Sequence, residues 1–208
     1  MSLLTFTLLS DGSSDRALLP ILEWVLRQAS TRSLQSQWAD LRQLRRPPRT
    51  LEDRIRTALD LYPCDLLFVH RDAEGVPRKA RVEEIRRYLP EGHEPPGVCV
   101  VPVRMQEAWL LFDENALRQA ADNPRGRIPV QLPSLSDLET IPDPKARLFE
   151  LLGTASGLAG RHLRRLNIPA RAHRLAELIQ DFSPLRRIPA FQALEEDVRG
   201  VLAQRSWT

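Results

Sequence analysis

Leu3-Leu4-Thr5-Phe6-Thr7-Leu8-Leu9-Ser10-Asp11-Gly12-Ser13-Ser14-Asp15 is the stretch whose reading decides the fold. An apolar run of strand length, Leu3 to Ser10, stops at Asp-Gly. Ser13 or Ser14 then caps a helix running from Asp15 to about Ala29, with apolar spacing Leu18, Leu19, Leu22, Val25, Leu26. A second apolar run, Asp65 to His70, ends the same way, on Asp72-Ala73-Glu74. Two strands of one parallel sheet that both end in carboxylates can converge those carboxylates on one rim. Oxygen-rich rims of that kind bind Mg²⁺ or Mn²⁺, and such ions usually act on phosphate esters.

Outward from these strands the pattern alternates. Ser33 to Leu41 reads as an edge strand, followed by the basic, proline-broken Arg42 to Arg49. Thr50 caps a helix to about Leu61, which Pro63 ends. A helix of alternating charge is expected from about Arg78 to Tyr88, a Pro/Gly loop over 91–97, and a third strand from Val98 to Val103. Met105 to about Ala121 reads as helix. Strand–helix alternation implies an α/β fold: a mostly parallel sheet flanked by helices, covered on both faces. Beyond Asn123 strand signals vanish, and Pro-rich loops separate helices near 145–152, 158–166, 171–180 and 191–205. The expected division is therefore a core over 1–122 and a C-terminal helical extension over 123–208.

Composition sets bounds. The chain has 208 residues, and its formal charge of +3 is too small to make the whole molecule a strong polyanion binder. Only Lys79 and Lys145 are lysines; the remaining basic residues are arginine, the better bidentate phosphate ligand. Cys64 and Cys99 form no CxxC pair and read as small hydrophobes, as expected in a reducing cytoplasm. The apolar N-terminus lacks a positive flank and cleavage site, so it reads as a strand and not a signal peptide. No stretch reaches the roughly 18 to 20 apolar residues of a membrane span, and a soluble chain is expected.

Asp11, Asp72 and Glu107 all fall just past strand ends, where open α/β sheets bind ligands. Asp15, four residues after Asp11, can point back at the same rim. Mg²⁺ keeps several waters, so two or three carboxylates suffice. Without a cation, such groups repel and raise one another's pKa; alternatively Asp11 and Asp15 simply favour a helix N-terminus.

Asp11-Gly12-Ser13-Ser14-Asp15 with Leu18-Leu19 resembles the first Toprim motif, Glu-Gly-x-x-Asp. Phe68-Val69-His70-Arg71-Asp72-Ala73-Glu74-Gly75 resembles the second, a strand ending in Asp-x-Asp. That resemblance covers roughly residues 3 to 112. A wider one joins Val101 to Leu111, Asp143-Pro144-Lys145, Ser183-Pro184-Leu185 and Pro189-Ala190-Phe191. It is to a bacterial family of uncharacterised Toprim-like proteins, often encoded near ATPases that work with Toprim nucleases in phage defence. The resemblance implies a Toprim/Rossmann-like fold and an Mg²⁺- or Mn²⁺-dependent hydrolase acting on nucleic acid, with an ATPase partner. It carries Asp11 and Asp15 to the first motif and Asp72 and Glu74 to the second. Asp11 stands where the family has Glu, and Glu74 where it has Asp. The other function to weigh is a non-catalytic Toprim-fold subunit that binds a partner protein.

The candidate site is thus Asp11 and Glu107 as catalytic groups, Asp15, Asp72 and Glu74 as metal ligands, and Arg71, Arg104 and Lys145 as phosphate or nucleic-acid contacts. Arg104 and Glu107, three apart, either bind phosphate and complete the metal shell or form a simple ion pair. Trp109 either stacks a base or fills the core. The runs Arg42, Arg45, Arg46, Arg49 and Arg161, Arg164, Arg165, Arg171, Arg174 are either nucleic-acid contacts or solvated faces. His70 and His93 lack ligand spacing, and His162 and His173 stand eleven apart among arginines, so zinc is not expected. No GxxxxGK[ST], GxSxG or GxGxxG occurs. An aspartyl nucleophile of the haloacid-dehalogenase type would need an Asp at Ser13.

Overall fold

A computed structural model describes residues 2–73, 75–89 and 95–208. Glu74 and His93 lie outside the described residues. Four strands, β1 (Leu3–Leu9), β2 (Ser33–Ala39), β3 (Leu66–His70) and β4 (Gly97–Val100), form one all-parallel sheet in the order β2-β1-β3-β4. The fold is α/β and Toprim/Rossmann-like, as the alternating pattern predicts, and Ser33–Ala39 is indeed an edge strand.

The strand order fixes where a ligand can sit. From β1 the chain steps to β2 on one side, then returns past β1 to β3 and on to β4. Right-handed crossovers therefore put α1 (Leu18–Arg27) on one face and α2 (Leu51–Leu61) and α3 (Arg78–Arg86) on the other. The point of reversal lies between the carboxyl ends of β1 and β3, where such sheets open a crevice.

Side-chain alternation builds the two faces. Leu9, Leu67, Val69, Cys99 and Val101 pack with Ile55 and Ala58 of α2 and with Val82 and Ile85 of α3. On the opposite face Leu4, Phe6, Leu8, Leu66 and Phe68 are buried, with the Phe6 and Phe68 rings edge-on at 5.5 Å. There α1 presents Leu18, Ile21, Leu22, Val25 and Leu26, all buried. Trp24 of α1 meets Phe191 at 6.3 Å, which sets α8 (Pro189–Gln204) beside it.

Two elements differ from expectation. The helix expected over 105–121 is a 3₁₀ turn, Gln106–Leu110, followed by α4 (Glu114–Ala120). Asp113 breaks it: its carboxylate accepts the Ala116 amide at 2.9 Å and caps α4. The third strand stops at Val100 because Pro102 has no amide to donate, although its carbonyl still accepts from Ala73 at 3.1 Å.

The chain forms two compact units, Met1–Val103 with Ala190–Thr208, and Arg104–Pro189. This division does not fall at residue 122: residues 104–122 belong to the second unit and α8 to the first. In the second unit α4, α5 (Pro144–Ser156) and α7 (Ile168–Leu178) pack together, and α6 (Gly160–Arg164) is a single exposed turn. Among the described residues no helix is long and apolar enough to cross a membrane.

Candidate functional site

Two chain segments, one past each of the central strands, build a polar cavity of about 280 Å³ lined by Asp11, Gly12, Asp15, His70, Arg71 and Asp72. Past β1 the chain turns through Asp11-Gly12 into a 3₁₀ turn, Ser14–Ala17, that leads into α1. Ser13 makes no side-chain cap here. Asp15 closes the turn instead, its Oδ2 accepting the Gly12 amide at 2.6 Å and its Oδ1 accepting from the Ser14 hydroxyl at 3.3 Å. Its carboxylate is consequently buried, and its residue is only 5% exposed.

At the end of β3, His70 follows the alternation of Leu66 and Phe68 and so faces the α1 side of the sheet, where Asp15 lies. The ring is buried. Its Nδ1 lies 3.0 Å from the Val100 carbonyl, which can only accept, so Nδ1 carries the proton. Burial pushes the His70 pKa down, outweighing the opposing pull of the Asp15 charge. In the neutral ring Nε2 therefore presents a lone pair, 3.5 Å from Asp72 Oδ1 and 4.0 Å from Asp15 Oδ2.

Asp11 is in a different situation. Its side chain is 48% exposed and ion-paired with Arg54 of α2, while Arg71 Nε stands 3.5 Å from its other oxygen. Arg54 is anchored further by donating to the Ser10 carbonyl at 2.5 Å. Arg71 also pairs with Glu84, whose second oxygen accepts from Arg81 at 2.5 Å. A chain of alternating charges thus runs from α2 across the cavity mouth to α3.

Of the residues singled out from the sequence, Asp11, Asp15, Arg71 and Asp72 come together here. Arg104, Glu107 and Lys145 belong to the second unit, where Glu107 is buried with Lys145 Nζ at 3.6 Å. Arg104 is exposed and forms no ion pair among the described residues. Trp109 is 1% exposed and fills the core of that unit, which rules out stacking on a base. His70 and Arg54 were not anticipated. For His70 a signal existed: it stands two residues before Asp72, and residues two apart at a strand end share a face. Arg54 carries no such signal, being 43 residues from its partner Asp11.

Among the described residues no group of three or more His, Cys, Asp or Glu side chains could by itself hold a metal ion. A hydrated ion asks for less. Asp72 Oδ1 and Asp15 Oδ2 approach the same edge of the His70 ring, at 3.5 and 4.0 Å from Nε2. Asp15 and Asp72 are the two carboxylates of the cavity that approach His70 Nε2, oxygen donors of the kind a hydrated Mg²⁺ or Mn²⁺ takes. No protein-family model, curated protein or solved structure matches this chain.

Proposed function

We propose that the chain is a Toprim-like, Mg²⁺- or Mn²⁺-dependent phosphodiester-cleaving protein of the cytoplasm, acting on DNA or RNA. The observation that carries this reading is the convergence of Asp15, His70 and Asp72 on one polar cavity at the switch point of the sheet. Asp15 and Asp72 would hold the ion, with water completing its shell and Glu74 a third ligand on sequence grounds. When bound, such an ion generates a nucleophile from water near neutral pH and offsets charge building on the phosphoryl oxygens.

The chain's own groups supply the rest. Arg71 at the cavity wall would turn a guanidinium edge to a phosphate, while Arg54, behind Asp11, has its terminal nitrogens on Asp11 and the Ser10 carbonyl. Asp11 holds both guanidiniums and restrains their rotation, and it would orient the attacking water or the leaving group. The Val100 carbonyl fixes the His70 tautomer and keeps Nε2 directed at the carboxylates. This reading uses the first unit alone and assigns no role to Arg104, Glu107 or Lys145.

One observation favours a second reading, a non-catalytic Toprim-fold subunit that binds a partner protein. Asp11, the counterpart of the family's first Glu, has both its oxygens engaged by arginines, Arg54 and Arg71. Incubation of the protein with Mn²⁺ and a panel of DNA and RNA, with Asp72→Ala as control, separates the two. The enzyme reading expects metal-dependent cleavage lost in Asp72→Ala, and a thermal shift with Mn²⁺ in the wild type only. Cleavage unaffected by Asp72→Ala, or no shift and no cleavage, would count for the second reading.

A further inference from the structure

From Leu151 to Ala176 the chain contains no acidic residue and five arginines. Two of these are engaged: Arg171 and Arg174 share the single carboxylate of Asp122. The other three, Arg161, Arg164 and Arg165, are exposed and make no ion pair among the described residues. Arg164 and Arg165 stand three and four residues after Arg161, on and just past α6, and so on one face with it, where like charges repel. Nothing nearby in this stretch relieves that repulsion. A polyanion would.

Beside this face lies an apolar groove of about 370 Å³. Leu163 of α6, Phe149 of α5, Leu158 and Ile168 line it, and Leu158 is 43% exposed. The carboxylate at its edge, Glu150, is paired with Arg147 at 2.7 Å. Gly157, in the left-handed region at φ 68°, ends α5 and lines the groove, where a Cβ would crowd Asn123 Nδ2 at 3.1 Å.

We propose that this surface binds single-stranded DNA without sequence preference, the phosphates lying on Arg161, Arg164 and Arg165 and a base seated in the groove. Exposed guanidiniums tracking a backbone beside an apolar seat for bases are the parts that sequence-tolerant strand binding needs. A groove whose side-chain polar groups are Thr154 and the engaged Glu150 offers a 2′-hydroxyl little to bond with, which favours DNA over RNA. The inference goes beyond the cleavage proposal and needs neither metal nor chemistry.

The test is fluorescence anisotropy with labelled dT20 in EDTA, where cleavage is excluded. Arg161→Glu/Arg164→Glu/Arg165→Glu is compared with the charge-matched Arg45→Glu/Arg46→Glu/Arg49→Glu in the first unit, and circular dichroism melting confirms that each folds. The expected result is at least a tenfold loss for the first triple and under threefold for the second. With three phosphate contacts removed, the salt slope should also fall by about 2, at roughly 0.7 per phosphate. Leu158→Asp, which leaves the arginines in place, should weaken binding by more than threefold. Absence of binding by the wild type at low salt, equal losses in the two triples, rU20 binding as tightly as dT20, or equal displacement by a glutamate-rich peptide would each overturn the proposal. Cleavage persisting in such a case would leave the reading of the first-unit cavity standing.

Discussion

Asp15 does two jobs with one carboxylate, and a substitution separates them. It satisfies the Gly12 amide and the Ser14 hydroxyl and faces the cavity. Asp15→Ala orphans a part-buried amide, a loss of about 1–3 kcal/mol, or a fall of several degrees in Tm for a chain of this size. Asp15→Asn keeps an acceptor on Gly12 and should lose less stability, while still abolishing any thermal shift with Mn²⁺. His70 makes a pH prediction. Its folded pKa is lowered by burial below the ordinary value, about 6.5 in the unfolded chain. Between the two pKa values the unfolded state binds the extra proton, so stability rises with pH through that window and is lost on acidification. Urea melts at pH 7.5 and 5.5 should show wild type weakened at the lower pH and His70→Gln weakened less. At this scale the sequence disclosed Asp11, Asp15, Arg71 and Asp72, because each abuts a strand end or a turn. It did not disclose Arg54, which reaches Asp11 only through the packing of α2 on the sheet.

Elements followed from local chemistry wherever caps and periodicity agreed. Thr50 begins α2 as its sequence predicts, its hydroxyl accepting the Asp53 amide at 3.1 Å and donating to the Asp53 carboxylate at 2.7 Å. Thr50→Ala should therefore lower stability by roughly 0.5–2 kcal/mol in a denaturant melt. Local chemistry misled where two signals overlapped. Over 105–121 the apolar spacing suits one helix, yet Asp113 is a strong cap in its middle and restarts the backbone there. Breaking the element separates Arg104 and Glu107 from the regular helical face on which their spacing would have paired them. At the start of α1 the serines suited for capping are passed over, because Asp15 reaches back to Gly12 first.

For the whole molecule, the surprise is α8. Its sequence reads as the last helix of a helical extension, whereas it belongs to the unit that holds the sheet. Phe191, Leu194, Val198 and Leu202 are each fully buried. At about 1.5–3 kcal/mol apiece, their burial totals roughly 6–12 kcal/mol, comparable with the roughly 5–15 kcal/mol net stability of a typical domain. Truncation after Pro189 should consequently abolish the cooperative thermal transition of the sheet-bearing unit, followed by circular dichroism. Survival of that transition would show that α8 is dispensable there. The helix's amphipathic pattern says that one face is buried but carries no address for what buries it.

The sequence by itself determined the parallel α/β sheet, its strands, and the carboxylates at the ends of β1 and β3, since these depend on period, turn residues and neighbours within a few positions. Only the tertiary structure decided the rest. It brought His70 between Asp15 and Asp72, bound Asp11 to Arg54 and Arg71, put Glu107 with Lys145 in the second unit, and returned α8 to the first. Each of those outcomes depends on which surfaces meet after the chain has folded back over tens of residues, and pairing at that range leaves no periodic trace in the chain.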